Sequence, residues 1–199
     1  MESNRIKDRA FENIFSEWPE HKDGMLQWHL AHDSIERKEK FRYFVENIMG
    51  MNDQNDLIEK LTVKFTDLTQ QAIINCPLVQ GAGDFLEYVH GSIAVYLISA
   101  TPQSNLNEII AKRGLDKYFK KVYGAPINKV EMLKKIMEFE RASVDEILFI
   151  GDSPEDQQAA ETLEIKFIGR QTDRNLKSTS KIFSDFINIK EYFSQHYGL

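Results

Sequence analysis

The sequence predicts an α/β protein in two parts, a helical N-terminal segment followed by a parallel, doubly wound sheet core. Three observations carry this. From Ile6 to about Ile74 the apolar residues recur at helical spacing and strand signals are absent. At Cys76-Pro77 the pattern changes, and PLVQGAGD (77–84) supplies the turn residues of a crossing between domains. Beyond it, SIAVYLIS and EILFIG are apolar almost throughout, as strands buried on both faces of a parallel sheet are. The division expected is a helical domain over residues 1–76 and an α/β core over residues 77–199.

Each element follows from its own pattern. Phe11, Ile14, Phe15 and Trp18 repeat at i, i+3, i+4 and i+7 and stop at Pro19, which predicts the first helix. Further helices are expected over residues 20–31, 36–49 and 54–74. In the third, Phe41, Phe44, Val45 and Ile48 share one apolar face. The core is expected as helix 85–90, strand 93–99, helix 102–113, short strand 121–123, helix 129–140, strand 146–150, helix 154–163 and strand 165–168. Residues 182–197 close it with a strand remnant and a helix.

Composition narrows the function classes. A chain of 199 residues can bury roughly 70% of its unfolded surface, so it needs no disulfide or structural metal. The net charge of −6 argues against a nucleic-acid partner but leaves room for a small phosphorylated substrate held by a few local cations. Cys76 is alone, which fits a reducing compartment. No apolar run reaches membrane length and the N-terminus lacks a signal region, so a cytoplasmic, membrane-free protein is expected.

In doubly wound sheets ligands sit outside the carboxyl ends of the strands. That rule selects three places. Ser99-Ala100-Thr101-Pro102 follows a strand: Thr101 can cap the next helix with Pro102 at its first position, or Ser99, Thr101 and the free N–H groups can bind an anion. Asn128 and Glu131 mark a helix start that leaves Lys129 in the first turn, where the helix dipole disfavours a cation unless an anion binds there. In ILFIGDSPED, Ser153 and Asp156 form a capping box with Pro154 at the first helical position. Asp152 has no such structural duty, and a strand-end carboxylate suits a hard divalent ion such as Mg²⁺.

Ser99, Lys129 and Gly151-Asp152-x-x-x-Asp156, in that order and on those elements, resemble the second, third and fourth motifs of the haloacid dehalogenase (HAD) superfamily. The subgroup resembled has a Rossmann-like core and a helical cap, as in phosphoglycolate phosphatase and β-phosphoglucomutase. The segments SATPQSNLNEIIAKRGLDKYFKKVYGAPINKVEML and ILFIGDSPEDQQAAETLEIKFIGR carry the likeness, and the helical part, including SIERKEKFRYF, is similar to the cap. The resemblance implies Mg²⁺-dependent hydrolysis of a small phosphomonoester through an aspartyl-phosphate. In it Ser99 and Thr101 bind a phosphoryl oxygen, Lys129 neutralises it, Asp152 holds Mg²⁺, and Asp156 holds Lys129 or a metal-bound water. Arg37 and Lys40 are the cap cations expected at the entrance. A solvated helix face is the other reading of those two.

One departure matters. Such enzymes carry their nucleophile in an apolar-run–Asp-x-Asp-Gly-x-Leu segment, and this sequence contains no Asp-x-Asp. Asp23-Gly24-Met25-Leu26 resembles its end, but the preceding Trp18-Pro19-Glu20-His21-Lys22 cannot form a buried strand. The expectation is a core lacking its first strand, with two facing strand edges left open, and a native protein that starts earlier. Negligible phosphatase activity is expected of the chain as it stands. The alternative is a non-catalytic pseudo-enzyme or scaffold; mutase and dehalogenase chemistry also stay open. His29 and His32 near Asp33 are expected to serve packing or surface roles rather than to bind metal.

Overall fold

The computed structural model describes residues 3–32, 35–173, 175–177 and 180–198. The chain divides into two compact units, residues 1–77 and 78–199.

The N-terminal unit is helical: α1 (Asn4–Phe15), α2 (Lys22–Ala31), α3 (Arg37–Tyr43) and α4 (Asn55–Asn75). A π-helical turn, Phe44–Ile48, continues α3. The helical spacing read from the sequence puts Phe11, Ile14 and Phe15 on one face of α1, where they meet Phe41, Phe44, Ile58, Leu61 and Phe65 in one core. Phe11 lies 4.4 Å from Phe65 and 5.4 Å from Phe41, centroid to centroid, within the range of favourable tilted aromatic pairs.

A polar chain runs through this apolar core. Lys40 is 3% exposed and His29 2% exposed. The Lys40 Nζ lies 2.9 Å from His29 Nδ1, and His29 Nε2 lies 3.0 Å from Asp8 Oδ1. With the Lys40 ammonium donating to Nδ1, the imidazole is neutral and donates from Nε2 to the carboxylate. Lys40, expected at an entrance or on a solvated face, instead has its ammonium inside the unit. Its spacing from Phe41 and Phe44 did not separate it from the polar side of α3. His32 is exposed and stacks on Trp28 at 4.3 Å. Asp33 lies outside the described residues.

The C-terminal unit runs α5 (Ala82–Val89), β1 (Tyr96–Pro102), α6 (Gln103–Lys112), β2 (Lys121–Ala125), α7 (Lys129–Glu140), β3 (Leu148–Gly151), α8 (Pro154–Thr162), β4 (Lys166–Arg170), β5 (Lys181–Phe183) and α9 (Phe186–Tyr197). All strand pairs are parallel, but they form two sheets, β1-β2 and β3-β4-β5. Leu133 of α7, Ala159 and Ala160 of α8 and Ile98 of β1 share a cluster with Phe149 of β3. Phe85 of α5 and Ile189 and Phe193 of α9 share another with Val95, Leu148 and Ile150. Helices thus cover the strands from both sides, as the α/β pattern requires.

Two expectations change here. The first strand lies three residues further on than its apolar run suggested, at Tyr96–Pro102, because Ile93 is exposed and the bonded register with β2 starts at Tyr96↔Lys121. The runs read as fully buried are also only partly so: every residue of β1 is half-buried, and of β3 only Phe149 is buried. The cause is topological. Among the described residues β1 and β3 each bond to a strand on one side only, so neither stands as a central strand there.

The buried chain in the helical unit is testable, because Trp18 and Trp28, the two tryptophans of the protein, both lie in that unit and report its unfolding alone. Lys40→Met removes the ammonium from His29 Nδ1 and should destabilise the unit by about 1–3 kcal/mol in urea titrations followed by tryptophan fluorescence. Adding His29→Leu should recover part of that loss. A double variant that is simply the sum of the two singles would contradict the coupling.

Candidate active site

The site is built at the carboxyl ends of β1, β2 and β3. At β1 the register with β2 slips between Ile98 and Pro102, so Ser99-Ala100-Thr101 bulges opposite Gly124. Within the bulge the Ser99 hydroxyl donates to Thr101 Oγ1 at 3.1 Å and accepts from the Thr101 N–H at 3.1 Å. Thr101 is therefore not the cap of α6. That position falls to Pro102, one residue later than expected, and no side chain caps the helix. Gln103 ties the corner to β2: its Oε1 accepts from the Gly124 N–H at 2.7 Å and its Nε2 donates to the Val122 carbonyl at 3.1 Å. A Cβ at Gly124 would come 2.6 Å from the Thr101 carbonyl oxygen, so the corner needs glycine there.

Beyond β2, the Asn128 side chain caps α7 by accepting from the Glu131 N–H at 2.9 Å. Lys129 is then the first helical residue, as the sequence predicts. Its Nζ lies 2.6 Å from Asp156 Oδ1 and donates to Ser153 Oγ at 3.1 Å. The side chains of Lys129 and Asp156 are 16% and 10% exposed. The dipole penalty on a first-turn lysine is thereby offset by a neighbouring carboxylate.

Asp156 is the hub. Its Oδ2 accepts from the Ser153 hydroxyl at 2.8 Å and from the N–H groups of Ser153 and Asp152 at 3.1 and 3.2 Å. Ser153 Oγ in turn accepts from the Asp156 N–H at 3.2 Å, completing the expected capping box. The capping and functional readings of Asp156 thus coexist, one on each carboxylate oxygen. Asp152 follows β3 and is half-buried; its carbonyl accepts from Thr172 Oγ1 at 3.2 Å. Gln157, 1% exposed, holds the same loop by accepting from the Lys177 N–H at 2.8 Å and donating to Ser180 Oγ at 2.9 Å.

The structure brings Lys129, Asp156 and Ser153 into contact, sets Ser99 and Thr101 in the bulge at the end of β1, and sets Asp152 just past β3. Arg37 and Lys40 belong to the helical unit. There the Arg37 guanidinium lies 5.7 Å from the Phe65 ring centroid, and burial holds its pKa below the ordinary value, with Glu36 partly offsetting. Sequence pattern gave Ser153 only a capping role and gave Gln103, Gln157 and Thr172 none. A glutamine in the first turn after a strand, and another amid alanines on a core helix, were the available signals.

Asp156 stands here as a lysine partner rather than a metal ligand. Both of its oxygens are engaged, and a carboxylate already holding an ammonium and three donors has little left for an ion. Among the described residues no group of three or more His, Cys, Asp or Glu side chains is placed to hold a metal. Asp152 alone is too small a donor set for Mg²⁺, which takes six oxygens and keeps several waters only when carboxylates or phosphate supply the rest. The residues present do not by themselves fit a resident Mg²⁺.

What the site can do is hold an anion. Two hydroxyls and a lysine whose carboxylate partner can share it with a phosphate oxygen are donors such a ligand needs. Their placement depends on Gly151. A Cβ there would stand 2.4 Å from Asp156 Cβ and 2.6 Å from Cγ. Gly151→Ala should displace the hub and cost about 1–3 kcal/mol of stability by urea denaturation. A change below about 0.5 kcal/mol, within the range of an ordinary surface substitution, would contradict this packing.

Comparison with known proteins follows the same lines. No curated protein matches the chain by sequence. A predicted phosphoglycolate phosphatase from Haemophilus somnus superposes with a TM-score of 0.73 at 15% identity, over 96% of this chain and 91% of that one. CbbY from Rhodobacter sphaeroides, in complex with xylulose-(1,5)bisphosphate, gives 0.71 at 13% identity, over 93% and 89%. A subfamily IA HAD-superfamily hydrolase from Geobacter sulfurreducens gives 0.64 at 16% identity, over 96% and 90%. At these identities the structures share the fold. The family model for haloacid dehalogenase-like hydrolases matches residues 27–170, well over half of the sequence, and the chain belongs to that family.

Proposed function

We propose that the C-terminal unit carries the phosphate-binding half of a phosphomonoester hydrolase of HAD type, acting on a small phosphorylated metabolite. The observation that carries this is the half-buried Lys129 ammonium, held by Asp156 at 2.6 Å and Ser153 at 3.1 Å on the rim that also bears Ser99 and Thr101. In this role Ser99 and Thr101 donate hydrogen bonds to phosphoryl oxygens. Lys129 offsets their charge, and Asp156 keeps the ammonium aimed while Ser153 Oγ accepts a second of its N–H groups. Asp152 is the carboxylate that would contribute to a Mg²⁺ shell once further carboxylates join it. Support comes from the relatives, one described as a predicted phosphoglycolate phosphatase and one in complex with xylulose-(1,5)bisphosphate. The helical unit would act as a substrate-selecting cap in this reading, with Arg37 as its candidate cation.

The second reading, a non-catalytic binding protein of the same fold, is favoured by one observation: the 199 residues contain no Asp-x-Asp. Both readings expect these residues alone to be inactive, and they differ on anion binding. Mg²⁺-dependent turnover of p-nitrophenyl phosphate should not rise above background. Turnover that needs Mg²⁺ and vanishes in Asp152→Ala would overturn this. Inorganic phosphate should shift the amide signals of Ser99, Thr101 and Lys129 in a heteronuclear NMR titration, and Lys129→Met should weaken that binding about tenfold, the worth of one charge-assisted contact. Phosphate that leaves those three signals unmoved would favour the non-catalytic reading.

A further inference from the structure

We propose that the C-terminal unit has a second ligand site, at the amino ends of β3, β4 and β5, and that it takes a small dianion bearing an aromatic ring, of the class of an aryl phosphate. The site lies at the opposite end of β3 from Gly151 and Asp152. It stands whether or not the phosphate reading of that rim holds.

The strand register opens the space. β3 pairs with β4 from Leu148↔Lys166 onward, but β5 joins β4 only at Ile168↔Lys181. Lys166 and Phe167 therefore have no partner on β5. A cavity of about 610 Å³ lies at this end of the sheet, within the range of small-molecule sites. Its walls come from the strand starts, from Ser180 just before β5 and from Tyr192 and Tyr197 of α9.

Register also decides which side chains meet. Residues paired on parallel strands share a face, and so do alternate residues along one strand. Lys166 is paired with Leu148 and lies two residues from Ile168, which is paired with Lys181. Leu148 and Ile168 pack with Phe183 and Tyr192. Both lysines thus belong to the face that α9 covers, and the Lys181 ammonium lies 4.5 Å from the Tyr192 ring centroid. Among the described residues neither lysine is paired with a carboxylate. Glu161, the acidic residue of the wall, is already held by Lys177 at 2.8 Å.

The chemistry of the ligand follows. Two uncompensated ammonium groups suit two negative charges, which a phosphate monoester approaches near neutral pH and a single carboxylate does not. Ser180 adds a donor. Its Oγ accepts from Nε2 of the buried Gln157 at 2.9 Å, which fixes the hydroxyl and leaves its proton for a phosphate oxygen. The remaining walls suit a ring. Tyr197 leans on Phe193 at 4.9 Å and is still 40% exposed, so aromatic surface is left to cover, and Leu148, Ile165 and Phe167 extend it.

The test titrates the full chain with 1-naphthyl phosphate. Heteronuclear NMR follows the amides of Lys166, Ser180 and Lys181, with those of Ser99, Thr101 and Lys129 read in the same spectra. The expected result is saturable one-to-one binding with a single midpoint at the first three. Lys166→Met and Lys181→Met should each weaken it about fivefold, the upper worth of an exposed ion pair, while the other amide signals stay in place. Inorganic phosphate (charge without ring) and 1-naphthol (ring without charge) should each bind there at least about tenfold more weakly. Shifts confined to Ser99, Thr101 and Lys129 overturn the proposal. Silence at those three with the cavity signals moving overturns only the phosphate reading of the rim. A midpoint that either fragment matches, one that both lysine variants leave unchanged, or no shift at millimolar ligand also overturns the second site.

Discussion

A single carboxylate, that of Asp156, ties the C-terminal unit together at its functional end. Its Oδ2 gathers the backbone of the turn after β3 and closes the cap of α8; its Oδ1 pairs with Lys129 at the start of α7. Among the described residues the two sheets have no hydrogen-bonded ladder in common, so this contact is a polar tie between their carboxyl ends. It is largely shielded from water, where such a pair is screened little and losing one member leaves a buried charge uncompensated. Gly151 exists in this arrangement to let the carboxylate sit against the strand end.

The second constraint is the demand of buried backbone for partners. It bears on why strands with the composition of fully buried parallel strands are only half-buried here: among the described residues β1 and β3 each bond to one neighbouring strand. It also frames the chemistry. The rim offers hydroxyls, a lysine and Asp152, which suffice to hold an anion, but not the donor set of a divalent ion or an Asp-x-Asp. An open edge and an incomplete donor set fall at the same place in the fold.

Much of this was legible in the sequence, for identifiable reasons. Helical spacing located α1 through α4 within a few residues because each buries one stripe against the same aromatic core. Capping chemistry was read almost to the residue: Asn128 with Glu131 for α7, and Ser153, Pro154 and Asp156 for α8. Local rules succeed where the interaction is local. They failed where it is not. Nothing near Lys40 shows that His29 and Asp8, on other helices, will take its ammonium inside. The start of β1 was misplaced because Ile93 and Leu97 look alike in an apolar run, and only pairing with β2 separates them. The strength of the two strand signals also concealed that they would lie in different sheets, since an apolar strand reads the same with one neighbour or two. Asp156 was assigned to a cap, to a lysine or to a metal; the structure gives it the first two.

The account turns on Asp156 and Lys129 acting as a coupled pair rather than as two separate surface-end residues. A double-mutant cycle with Lys129→Met and Asp156→Asn, read by urea unfolding of the full chain, measures that directly. The predicted coupling is about 1–3 kcal/mol, as for contacting residues in one buried network. Additivity within about 0.5 kcal/mol would mean that the pair is incidental, and with it the tie between the two sheets.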